Sequence, residues 1–89
     1  IPAVTGQSHG TRLFTNLRNS HTHTADYQIH DVLMCTSAAP TYFEPYKLDS
    51  TLYVDGGVQA NNPTMEAFGQ ALDCKIPQDK IFVLSLGTG

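Results

Sequence analysis

"TLYVDGGVQA", residues 51–60, admits two folds. Asp-Gly between apolar runs is a strong hairpin signal, so the stretch reads as two short antiparallel strands with Asp55 in the turn and no chemistry. The other reading makes "TLYV" a single strand that ends at Asp55. In that case the acid stands at a sheet edge, and Gly56 and Gly57, lacking Cβ, let another chain segment or a substrate approach it closely. A carboxylate acting as a base there needs an apolar wall, for which Tyr53, Val54 and Val58, with Tyr42 and Phe43, are the candidates.

The flanking pattern favours the second reading. "RLFTNL" (12–17) suits a short strand, and Ile29, Val32, Leu33 and Thr36 recur at the spacing of a helix face that must end before Pro40. After "TLYV" a second helix opens at Asn62, with Asn62 as N-cap, Pro63 in the first position, and Met65, Phe68 and Leu72 on one face. Lys75 and Pro77 mark its end. "IFVLSL" (81–86) is apolar almost without a break, as expected of a central parallel strand. Strand, helix, strand, helix, strand predicts a βαβαβ parallel sheet of the α/β class, whose ligands gather at the carboxyl ends of the strands. Asp55 and "GTG" (87–89) then share one functional edge.

Composition narrows the function classes. The 89 residues carry a net charge of −3, and Arg12, Arg18, Lys47, Lys75 and Lys80 are scattered, so a nucleic-acid partner is not expected. No apolar stretch approaches a membrane span, and the first 20 residues lack a signal-type core; a cytoplasmic or peripheral membrane location is expected. Cys35 and Cys74 form no C-x-x-C pair and read as buried thiols in helices. The chain is short for an α/β domain and reads as an incomplete part of one.

Several polar groups have plain explanations. His21, His23 and His30 lack a third ligand at fixed spacing, so no metal is expected, and "NSHTHTAD" (19–26) reads as a surface loop. "LSLGTG" (84–89) has neither the Lys-Ser/Thr of a P-loop nor a dinucleotide fingerprint, so no nucleotide cofactor is expected and a tight strand exit is the better reading. Asn61 and Asn62 are placed to touch substrate, yet capping accounts for Asn62. "SAAP" (37–40) offers small side chains for packing beside Asp55.

Taken together, "TSAAPTYFEPY" (36–46), "YVDGGVQANNPT" (53–64) and "LSLGTG" (84–89), with "FTN" at 14–16 ahead of the first helix, resemble the patatin-like phospholipase family. The resemblance implies a three-layer α/β/α domain of which these residues are the C-terminal portion. It also implies a Ser-Asp dyad with no catalytic histidine, in which Asp55 is the proton acceptor and Gly56 and Gly57 complete the active-site motif. The serine on its nucleophile elbow and the glycine-rich oxyanion loop are expected outside this chain, and Ser8, Ser20, Ser37, Ser50 and Ser85 are each set aside as nucleophile for lack of the two-glycine frame of an elbow. The implied activity is lipid acyl ester hydrolysis, without a cofactor, on a phospholipid or other acyl-lipid substrate, with peripheral membrane contact. Two alternatives stand beside it: an inactive patatin-like lipid-binding or storage module, and an unrelated nucleotide-binding domain using "GTG" as an anion loop.

Overall fold

A computed structural model describes residues 1–6, 10–17 and 26–88. In chain order the elements are β1 (Pro2–Thr5), β2 (Gly10–Leu13), α1 (Ile29–Thr36), β3 (Tyr46–Leu48), β4 (Thr51–Asp55), α2 (Gly57–Ala60), α3 (Thr64–Asp73) and a 3-10 turn at Gln78–Lys80. The four strands form one sheet in the order β2-β1-β4-β3. Every neighbouring pair is antiparallel.

The expected parallel βαβαβ sheet is therefore corrected, and the reason lies in two connections. α1 does not return the chain beside β2; it delivers it to β3 at the opposite edge. From β3 the chain turns through only Asp49 and Ser50 before entering β4, with Leu48 opposite Thr51. A two-residue loop can join only antiparallel strands. Asp49 and Ser50 have φ of 49° and 64°, the left-handed values that hairpin turns of the I′ kind require at both central positions.

The early strand is also displaced from its expected 12–17 range. It ends at Leu13, and the ladder closes with Phe14 N–H donating to the Ile1 carbonyl at 2.8 Å and the Ile1 amino group donating to the Phe14 carbonyl at 2.9 Å. The expected strand at 81–86 does not form. Residues 81–88 belong to no strand, and Phe82 is 89% exposed. An apolar run becomes a strand only where a neighbour pairs its backbone, and neither sheet edge does so here.

α1 forms where its apolar spacing placed a helix and ends before Pro40, but it has a different inward face. Val32 and Cys35 are buried, whereas Ile29 and Leu33 are exposed. The helix lies across β1, β4 and β3. Its two buried residues meet Ala3, Phe14 and Tyr53 in the core. Phe14 stands 5.5 Å from the Tyr53 ring and 5.8 Å edge-on to Tyr27, and the Arg12 guanidinium sits 4.9 Å over the Phe14 ring. Burying Tyr53 contributes about 2 kcal/mol, and its hydroxyl accepts a hydrogen bond from Arg12 at 2.8 Å, so the buried polar end is satisfied.

α3 starts at Thr64, so Pro63 stands at the N-cap and not in the first helical position, and Asn62, expected at the N-cap, lies one residue earlier. It still holds the helix start, since Oδ1 accepts from Thr64 N–H at 3.2 Å and from the Thr64 hydroxyl at 2.6 Å. At the other end Lys75 takes φ of 60°, its N–H donates to the Leu72 carbonyl, and Ile76 N–H donates to the Ala71 carbonyl. That pair of bonds is a Schellman stop. The expected packing of Met65, Phe68 and Leu72 on the sheet is not observed. Met65 is 74% exposed, Leu72 is exposed and Phe68 half-buried, and Ala71 is the buried residue of this helix.

Ser50 holds a left-handed conformation that costs a residue with a Cβ about 1 kcal/mol or more, partly offset by its smaller unfolded-state entropy. Ser50→Gly is accordingly expected to raise the thermal unfolding midpoint, with a net gain of about 0.5 kcal/mol. A lowered midpoint would contradict the tight turn between β3 and β4.

Candidate active site

Asp55 is the last residue of β4 and stands opposite Ala3 of β1. Its placement comes from the backbone around it. Asp55 N–H donates to the Ala38 carbonyl at 3.0 Å, and Gly56 N–H donates to the Thr36 carbonyl at 3.3 Å. The end of α1, whose last carbonyls have no partner within the helix, thus receives the end of β4. Thr36 also donates its hydroxyl to the Pro2 carbonyl at 2.7 Å, so helix, β1 and β4 meet at one point. "SAAP" does lie against Asp55, through Ala38.

Gly56 is required there for space. Its φ is an ordinary −62°, but a Cβ would fall 2.1 Å from the Pro2 carbonyl oxygen and 2.6 Å from the Pro2 carbonyl carbon. Gly57 serves the carboxylate directly: its N–H donates to Asp55 Oδ1 at 2.7 Å. A Cβ on Gly57 would meet Asp55 Oδ1 at 3.1 Å and Asn61 Oδ1 at 3.2 Å, so both acceptors crowd around this glycine. The one-turn α2 follows, closed by Ala60 N–H to the Gly56 carbonyl and tied to β2 by the Thr11 hydroxyl donating to Gln59 Oε1.

Half-buried Asp55 thus has one oxygen oriented by a backbone donor, while among the described residues Oδ2 has no hydrogen-bond partner. A carboxylate held this way can accept a proton or a hydrogen bond from a group brought to Oδ2. The expected apolar wall is not assembled around it. Tyr42 and Phe43 are 83% and 66% exposed, Val58 is exposed, and Tyr53 is buried in the core. The C-terminal stretch reaches the turn after Asp55 through Asn62 Nδ2, which lies 3.4 Å from Ser85 Oγ. Ser85 carried no such signal in the sequence, because the partners are 23 positions apart.

The other candidates separate from this site. His21 and His23 lie outside the described residues. His30 is exposed on α1, with Nε2 3.1 Å from Asp31 Oδ1, the oxygen that also accepts the Tyr46 hydroxyl at 2.8 Å. That bond to Asp31 raises the Tyr46 pKa, because it favours the protonated phenol. Burial pushes the Cys35 thiol up as well, which leaves it an inert core group. Among the described residues no group of three His, Cys, Asp or Glu side chains is placed to hold a metal.

Ser8 needs a correction of its own. Gly6-Gln7-Ser8-His9-Gly10 satisfies the literal G-x-S-x-G pattern, so setting Ser8 aside for lack of two flanking glycines is mistaken. Ser8 itself lies outside the described residues, but its flanks do not. The elbow pattern requires a strand-to-helix turn, whereas Thr5 and Gly10 are paired across the antiparallel strands β1 and β2. β1 also runs away from Asp55: Ala3 is opposite Asp55 and Thr5 opposite Tyr53. Gly6 therefore stands about 10 Å along the sheet from the level of Asp55. The topology, rather than the glycine frame, argues against Ser8 as a partner of Asp55.

A sequence model described as Patatin-like phospholipase matches residues 3–68, a span that contains the sheet except for Pro2, and Asp55 with it. The chain belongs to the patatin-like phospholipase family. It is 34% identical over 97 aligned positions to the cGAMP-activated phospholipase of Escherichia coli strain TW11681, covering 99% of this chain and 27% of that protein. It is 39% identical over 64 positions to mouse calcium-independent phospholipase A2-gamma, covering 71% of this chain and 8% of that protein. It is also 31% identical over 101 positions to the probable inactive patatin-like protein 9 of Arabidopsis thaliana, covering 100% of this chain and 26% of that protein. The chain thus spans about a quarter or less of the length of these relatives. No solved structure matches.

At this strand end the two glycines answer to different contacts, and substitution should separate them. Gly56→Ala must displace backbone at Pro2 and is expected to cost about 2–3 kcal/mol, read as a fall in the urea midpoint. Gly57→Ala meets only side-chain oxygens and is expected to cost less than about 1 kcal/mol. Equal costs would contradict the close approach of Gly56 to β1.

Proposed function

We propose that this chain supplies the proton acceptor of a patatin-like lipid acyl hydrolase of phospholipase A or lysophospholipase type, with Asp55 as the base of a Ser-Asp dyad. The observation that carries the reading is the Asp55 carboxylate at the end of β4, fixed through Oδ1 by Gly57 N–H at 2.7 Å. Family membership over residues 3–68 supports it, as do relatives named as phospholipases. On this reading the chain is the C-terminal portion of one catalytic domain, and the nucleophilic serine and oxyanion loop come from sequence beyond these residues.

The chemistry then runs in two halves. The serine hydroxyl oxygen attacks the ester carbonyl carbon while its proton passes to Asp55, and the tetrahedral intermediate collapses as Asp55 returns that proton to the departing alcohol oxygen. An acyl-enzyme remains. Water attacks it with Asp55 taking the water proton, and the serine leaves with that proton as the free fatty acid is released. The substrate is a phospholipid or other acyl lipid presented at a membrane surface. Among the described residues no helix is long and apolar enough to cross a membrane, which agrees with contact from one side only.

A second reading is an inactive lipid-binding module. Its support is the similarity to a plant protein named as probably inactive, together with a G-x-S-x-G that sits between antiparallel strands.

One set of variants in the full-length protein decides between them. Asp55→Asn keeps the shape of the side chain but cannot act as a base, so fatty-acid release from a phospholipid or a nitrophenyl ester is expected to fall about a thousandfold or more. Circular dichroism should remain unchanged. Ser8→Ala, His21→Ala, His23→Ala and His30→Ala are each expected to keep the rate within a few-fold. Normal hydrolysis by a folded Asp55→Asn variant, or a dead single histidine variant, would overturn the dyad, and a dead Ser8 variant would overturn the placement of its nucleophile beyond these residues. No hydrolysis by the unaltered protein would select the inactive module.

A further inference from the structure

Asn62 joins two parts of the molecule that the Ser-Asp reading leaves unconnected. Its Oδ1 is committed to a backbone donor, Thr64 N–H, and to the Thr64 hydroxyl. A backbone N–H can only donate, so the amide orientation is assigned by the hydrogen-bond network and Nδ2 must face away from α3. It faces Ser85 Oγ at 3.4 Å. Ser85 belongs to residues 81–88, which pair with no strand, and Gly87 and Thr88 follow it after Leu86. On the other side, Asn61 Oδ1 and Asp55 Oδ1 stand within 3.2 Å and 3.1 Å of the same point above Gly57. The one-turn α2 is therefore a bridge with the Asp55 carboxylate at one end and the Asn62 amide at the other.

We propose that Asn62 is a positioning residue for the Asp55 site, clipping the 84–88 segment through Ser85 so that its glycine-bearing exit is held beside the turn that carries the carboxylate. The proposal rests on Asp55 being the base. The helix cap accounts for Oδ1 and, through it, for the direction of Nδ2; the hydroxyl that Ser85 places within reach of Nδ2 is what the cap leaves unexplained. A segment with no ladder of its own needs such a tie, since small displacements next to reacting groups are costly in rate.

The test uses steady-state phospholipid hydrolysis by the full-length protein. Ser85→Ala removes the partner and leaves the cap intact. It is expected to lower kcat about tenfold with KM within twofold and the unfolding midpoint within a few degrees. Ser85→Thr, which restores a hydroxyl, should recover most of the rate. Asn62→Ala loses cap and clip together, and adding Ser85→Ala to it should cost nothing further, because the pair acts as one unit.

Full kcat in Ser85→Ala, no rescue by Ser85→Thr, or losses in the two single variants that multiply in the double variant would each overturn the clip. So would a kcat that falls only in step with the folded fraction. Asp55→Asn measured alongside separates the two levels. If that variant is dead and Ser85→Ala is fully active, the clip alone fails; if Asp55→Asn is active, the base assignment fails and takes the clip with it.

Discussion

The carbonyl of Pro2 is the point on which this small structure turns. It accepts the Thr36 hydroxyl at 2.7 Å and leaves no room for a side chain at position 56. Because Gly56 can pass so close, β4 runs to its end against β1 without being pushed out of register, and its next N–H reaches the Thr36 carbonyl. The same two residues, Thr36 and Pro2, hold the end of α1 over the sheet. Strand end, helix end and first strand are thus fixed relative to one another by one carbonyl group, and Asp55 inherits its position from that junction.

How far the sequence revealed this differs from element to element. α1 was legible as a helix ending before Pro40, yet its inward face was not: Cys35, rather than Leu33, joins Val32 in the core beside Tyr53 and Ala3. The sheet direction was misread because strand-helix-strand alternation implies parallel pairing only when the two strands become neighbours. Here β1, of four residues, lies between β2 and β4 in the sheet, and β3, of three, precedes β4 in the chain. The apolar run at 81–86 looks like a covered strand on composition alone, but composition does not supply a pairing partner.

The Asp-Gly signal shows why turn chemistry needs the third dimension. A hairpin exists, but six residues earlier, at Asp49-Ser50, where both residues take left-handed φ. At Asp55-Gly56 the glycine has ordinary φ and answers to crowding instead. Both causes write a small residue after an aspartate, so the string could not distinguish them. The local part of the candidate site was legible because Asp55, Gly56 and Gly57 are consecutive. The contacts to Ala38, Pro2 and Ser85 were not, since they join segments that only the fold brings together. Ser8 is the reverse case, a motif complete in the string whose flanking strands run in the wrong arrangement for its chemistry.

A carboxylate that acts without a histidine has a stricter geometric requirement than one that supports an imidazole. In a triad the acid orients the base; in a dyad the acid is the base, so its own orientation has to be supplied by something that does not titrate. Backbone donors meet that requirement. The Gly57 N–H fixes Oδ1, and the Asp55 N–H and Gly56 N–H are themselves anchored to the carbonyls of Ala38 and Thr36. Because these partners carry no protons that come and go near neutral pH, the orientation they give the carboxylate does not depend on their charge state. The proposed base is therefore oriented by the fold itself, through the same junction at Pro2 that sets the sheet.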